Sequence, residues 1–124
     1  MITQLRGPRG ADAECSLVEL GEPAIPMLID AYARERDAAV RASLVRVLWQ
    51  TREPSVMPAL ASALLDADSR VWKQALDGIV TLGGHAAVET LAAARETVSR
   101  FDDARTRREW IDEAAEQVRE AMSE

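Results

Sequence analysis

Apolar and polar positions along this chain alternate with the period of a helix, and the alternation itself recurs. Between Val56 and Gly84, VMPALASALLDADSRVWKQALDGIVTLGG, two amphipathic stretches are joined by a polar turn around Asp66, Asp68 and Ser69 and closed by a glycine pair. The spacing predicts two helices. Such a unit cannot bury its apolar stripe alone and needs neighbours of the same shape on either side.

The rest of the chain reads as imperfect copies. Residues 1–10 hold two glycines and a proline without periodicity and read as a loose arm. An entry helix is predicted over Ala11–Leu20, with Leu17 and Leu20 on its apolar side and Gly21 as its stop. Glu22-Pro23 opens the next helix, where Ile25, Leu28, Ile29 and Tyr32 form a stripe and Pro26 stays within the tolerant first turn. After the polar run Arg34–Asp37 comes a helix over 38–51, with Asp37 as its N-cap. Its stripe is Val40, Leu44, Val47, Leu48 and Thr51, widened by Val45 and Trp49.

A period of 31 then emerges: Glu22-Pro23 maps to Glu53-Pro54, Val40 to Val71, Leu44 to Ala75, Leu48 to Ile79, and Thr51-Arg52 to Leu82-Gly83. A third copy is stretched, with Val71 matched to Trp110, 39 residues on, and eight extra residues around VSRFDDART. In the last helix, from about Thr106, the expected stripe is Trp110, Ala114, Val118 and Ala121. The reading is seven helices in one all-α domain over residues 1–124. The entry helix is followed by repeats over 22–52, 53–84 and a longer, divergent 85–124.

Composition fits helices: hydrophobic residues make up 48% of the 124, mostly Ala, Leu and Val. The net charge of −6 arises entirely after residue 52, because the first 52 residues carry seven basic and seven acidic side chains. An excess of acid disfavours nucleic acid and anionic membranes as partners. No apolar run approaches the ~18–20 residues of a membrane span. One cysteine, Cys15, forms no intrachain disulfide, and no signal-like segment is evident, so a cytoplasmic location is expected.

Candidate chemistry is sparse. His85 and Cys15 are the single residues of their types and lie two repeats apart, so neither a catalytic pair nor a zinc site is expected. Asp66 and Asp68 flank Ala67 like the start of a calcium loop, but the glycine and glutamate of such a loop do not follow. They read as turn and N-cap residues. Arg105, Arg107 and Arg108 form a basic cluster interrupted by Asp102, Asp103 and Glu109, a poor match to a phosphate backbone. Glu109, Asp112, Glu113 and Glu116 make an acidic ridge on the last helix, either a solvated face or a docking surface for a basic partner.

Pro58, Leu60, Leu64, Asp66, Asp68, Val71, Ala75, Ile79 and Gly83, echoed by Pro26, Leu28, Asp37, Val40, Arg41, Val47 and Leu48, resemble the HEAT-repeat family. In particular they resemble the bacterial HEAT-like repeats first named from phycobilisome lyases. The resemblance covers roughly residues 11–122. It implies a short right-handed α-solenoid of antiparallel helix pairs whose second helices line a concave face, and a non-enzymatic protein-binding role with no cofactor and no metal. Two residues depart from the pattern. Trp72 stands where the first repeat has Arg41, and Trp49 stands where a small residue is favoured. Either fills a gap between repeats or anchors a partner, with Trp72 the better anchor, while Trp110 reads as packing. The partner-binding row implied by the resemblance is Arg46, Gln50, Trp72, Lys73, Asp77, Asp112 and Glu116. Two other readings stand beside it: an inhibitor or immunity protein that neutralises a basic partner, and a lyase or isomerase acting on a bilin-like tetrapyrrole.

Overall fold

The computed structural model describes residues 24–123, so the arm, the entry helix and Cys15 lie outside the described residues. Six α-helices follow in order: α1 (Ile25–Arg34), α2 (Ala38–Gln50), α3 (Met57–Ala63), α4 (Ser69–Leu82), α5 (Gly84–Thr97) and α6 (Ala104–Ser123). Short 3₁₀ turns, Pro54–Val56 and Val98–Arg100, precede α3 and follow α5. Among the described residues there is no strand, and no helix is long and apolar enough to cross a membrane.

Local chemistry sets these bounds. Asp37 caps α2 by accepting from the backbone N–H of Ala39 at 2.9 Å and of Val40 at 3.4 Å. Asp68 does the same for α4 through the Arg70 N–H at 2.8 Å. At the other end of α4, Gly83 has φ of 63°, a left-handed corner that costs glycine nothing. Arg52, one period earlier and one residue past the C-cap Thr51, also has a positive φ, 59°. Both copies therefore leave the second helix near a positive-φ residue, although only one of them has the favoured glycine there.

Each helix pairs with the next: α1 with α2, α3 with α4, α5 with α6. The pairs then stack, with second helix on second helix, α2 against α4 against α6, and first on first, α3 against α5. That topology is an α-solenoid. One continuous core runs through it from Ala24 to Val118, including Leu28, Leu44, Leu48, Leu60, Leu64, Val71, Ile79 and Leu91.

Three stripe assignments need correction. On α1, Ile29 is exposed whereas Ile25 and Leu28 are buried. On α6, Trp110 is 43% exposed and Ala121 is exposed as well, and Ile111, next to Trp110, is buried instead. The buried positions Arg107, Ile111, Ala114 and Ala115 follow Val71, Ala75, Gly78 and Ile79 by 36 residues, not 39. The third copy is therefore lengthened by five residues, and an arginine occupies the place of Val71.

The junction between α2 and α4 explains the tryptophan at position 49. A methyl group added at Gly78 would lie 2.6 Å from both Cβ and Cγ of Trp49, so the glycine is what lets the indole lie against the α4 backbone. The indole N–H donates to Gln74 Oε1 at 3.0 Å, which fixes its direction. Trp49 is thus a wedge between repeats. Gly78→Ala should lower stability by about 1–2 kcal/mol: at 2.6 Å the clash falls in the upper part of the overpacking range, about 2–3 kcal/mol, partly offset by the ~1 kcal/mol that alanine gains over glycine within a helix. The clashing atoms sit at the root of the Trp49 side chain and cannot rotate away. Thermal unfolding followed by circular dichroism checks this, and an unchanged or raised midpoint would contradict the wedge.

Candidate functional site

Two cation-centred networks hold the pairs together and determine which polar side chains are left for other work. In the first, Arg41 on α2 donates from Nε to Asp66 Oδ2 at 2.9 Å and from an Nη to Asp66 Oδ1 at 3.2 Å. Tyr32 on α1 donates its hydroxyl to the same carboxylate at 2.8 Å, and the Asp68 N–H adds a fourth bond at 3.0 Å. Burial alone would raise the Asp66 pKa, but the bonds from Arg41, the Asp68 backbone and Tyr32 outweigh it and hold the carboxyl below its usual range. Tyr32 is pushed upward, first by burial and then by its bond to Asp66. Both turn carboxylates are structural: Asp66 ties repeat to repeat, and Asp68 caps α4 and pairs with Arg70.

The second network centres on Arg107. Its side chain is 2% exposed, although the sequence suggested a basic surface cluster. Nε donates to Asp103 at 2.8 Å, and one Nη donates to the Leu64 carbonyl at 3.0 Å, at the C-terminus of α3 where helix carbonyls lack partners. The guanidinium also lies 3.9 Å from the Phe101 ring centroid and 5.4 Å from that of Trp72. Arg105 pairs with Glu109 on the surface of α6, so the three arginines do not share one face as a basic patch.

The expected binding row is redistributed by these contacts. Trp72 is 2% exposed, wedged between Arg107 and Trp110, and offers no surface to a partner. Its burial follows from its place beside Val71 on the face of α4 that meets α6. Asp112 pairs with Arg95 of α5 at 2.8 Å, and together with Glu116 and Arg119 it lines the groove between α5 and α6, away from Lys73 and Asp77. Arg46 is half-buried and Gln50 exposed on α2, outside the groove described next.

Lys73 and Asp77 do come together, with a residue the sequence had assigned to packing. Trp110 stands edge-on to Trp72, ring centroids 6.0 Å apart and planes at 78°. Lys73 Nζ lies 4.6 Å from the Trp110 centroid. Below them a groove between α4 and α6 is lined by Leu76, Asp77, Val80, Trp110, Glu113, Ala114 and Gln117. Asp77 reaches solvent at the groove edge, yet the surrounding helices desolvate it enough to raise its pKa. Trp110 and Gln117 were missed as surface residues because the register of α6 was displaced. The acidic ridge through Glu109 and Glu113 was the one signal pointing to that face.

The periodic helix pairs, the stacked second helices and the turn aspartates have a counterpart among known families: a family model described as HEAT repeats matches residues 25–114. The chain belongs to the HEAT-repeat family. HEAT repeats serve in general as protein-interaction modules, and the Asp66 and Arg107 networks here join one HEAT pair to the next alongside the shared apolar core. Neither curated proteins nor solved structures gave a match to the chain. Among the described residues no group of three or more His, Cys, Asp or Glu is placed to hold a metal ion.

Proposed function

We propose that this protein is a non-enzymatic interaction module that binds another protein on the concave face formed by its second helices. The observation that carries the reading is Trp110: a large aromatic side chain, 43% exposed, set in a groove between two second helices beside Lys73, Asp77 and Glu113. Exposed aromatics of this kind are enriched among residues that dominate binding energy. Arg46 and Gln50 extend the same row on α2. The neighbouring carboxylates also favour the narrower version in which the partner is basic, as an inhibitor or immunity protein would require, with association that weakens as salt rises.

Photo-cross-linking from within the cell tests the reading. A photoreactive residue at Gln50 or Gln117 should capture one partner, whereas the same residue at Ser62 or Thr97, on the first helices, should not. Trp110→Ala should weaken capture from Gln50 by about tenfold or more. Equal capture from both sides of the molecule, or capture indifferent to Trp110, would remove the concave face as the binding surface.

A further inference from the structure

The α4–α6 groove carries a more specific assignment, which rests on the binding reading above. Its floor is apolar, made by Leu76, Val80 and Ala114, and its wall is the exposed part of the Trp110 indole. Its rim holds two carboxylates from different helices, Asp77 of α4 and Glu113 of α6, with the Gln117 amide beside them. Neither carboxylate forms an ion pair among the described residues, whereas three acids nearby do: Asp112 is taken by Arg95, Asp103 by Arg107, and Glu109 by Arg105. The groove is small, about 80 Å³, with room for one side-chain head group.

The indole already shows what it attracts. Lys73 Nζ lies over its ring, held by the ring's negative face, and Lys73 leaves the rest of the Trp110 surface open to the groove. A second cation placed in the groove meets two carboxylates against one lysine. Asp77, partly desolvated, gains most from such a partner, because a charge held away from water interacts more strongly with its counter-charge.

We infer that the groove formed by Leu76, Asp77, Val80, Trp110, Glu113 and Gln117 receives an arginine side chain presented by a protein partner. Its planar guanidinium stacks against the indole and forks between the two carboxylates, and its methylene stem covers Leu76 and Val80. A planar donor fork suits this arrangement better than an ammonium, which is a point charge.

The test uses the intact protein and short capped peptides, observed through the indole N–H resonance of Trp110, which Trp110→Phe identifies by its disappearance. Titration with acetyl-Gly-Arg-Gly-amide should shift that resonance along a saturating curve. The citrulline analogue, equal in shape but uncharged, should bind about tenfold more weakly, as should the arginine peptide to the Asp77→Asn/Glu113→Gln variant. Both carboxylates reach the surface, so that variant is expected to fold, and unchanged thermal unfolding confirms it. Four results would overturn the inference. They are equal binding of the citrulline peptide, tighter binding of acetyl-Gly-Glu-Gly-amide, indifference to the double substitution, and a concentration-dependent shift without peptide, which assigns the groove to a second copy of the chain. Cross-linking from Gln50 and Gln117 is read independently. A captured partner alongside charge-blind peptide binding leaves the concave face standing and removes only the arginine.

Discussion

Replacing Asp66 by alanine is expected to cost about 3 kcal/mol of stability, on the order of 10 °C in Tm for a domain of this size. The carboxylate is the single acceptor shared by Tyr32, Arg41 and the Asp68 N–H, so its loss strips three donors at once. Arg41 is the costly one. Its side chain is 18% exposed and cannot turn fully to water, although its bond to the Arg36 carbonyl at 2.7 Å survives. Acid supplies an independent check. Because the folded-state pKa of Asp66 lies below its unfolded value, the network contributes fully above the unfolded value of about 4 and is lost as pH falls through the folded one. The difference in unfolding free energy between wild type and Asp66→Asn should therefore be constant near neutrality and shrink below about pH 4. Urea unfolding at a series of pH values measures it. A difference that persists unchanged into strong acid would mean that the carboxylate's charge contributes nothing.

Arg107→Ala should be of similar size, about 3–4 kcal/mol, and for a different reason. Truncation opens a cavity between Phe101 and Trp72 and removes the donor that satisfies the Leu64 carbonyl. Arg107→Met separates the two contributions. It restores most of the volume without the donor, and should recover the packing share while remaining about 1–3 kcal/mol below wild type. Asp103 is 44% exposed and simply returns to solvent in either variant. Full recovery by methionine in urea unfolding would show that the buried bonds to Leu64 and Asp103 add nothing beyond filled space.

The sequence disclosed most where local chemistry decides the outcome. Asp37 and Asp68 are caps wherever a helix must begin, and the stripe of Val40, Leu44, Val47 and Leu48 is buried because its spacing leaves one face to bury. The family, the helix pairing and the all-α class follow from the same local rules repeated at a fixed period. The surface was harder to read, since burial there depends on partners far along the chain. Arg107 looked like surface charge because the carbonyls it satisfies lie some 40 residues upstream, in a turn whose position only the folded chain defines. Once an arginine can fill a core position, the register of α6 shifts by three residues relative to the apolar pattern. Trp110 then moves outward and Ile111 inward. Trp72 moved the other way. It was judged by the residue it replaces, Arg41 in the first copy, although its neighbours on α6 differ from those Arg41 meets. Asp112 and Glu116 fell on the wrong side of α6 through the same displacement.

Arg107 has one more consequence, for how the molecule comes apart. A stack of identical repeats melts like a row of beads, each opening with its own free energy and a modest coupling to the next. Here a side chain of α6 is sealed beneath the end of α3, while Asp66, two residues beyond Leu64, is held by α1 and α2. The second pair is therefore latched from both sides within three residues of chain. It cannot open without releasing both neighbours, and neither neighbour can detach without breaking a latch on it. Amide exchange at Leu48, Leu60 and Ile111 should accordingly report one common opening, with the segment from Leu64 to Asp68 as the keystone of the array.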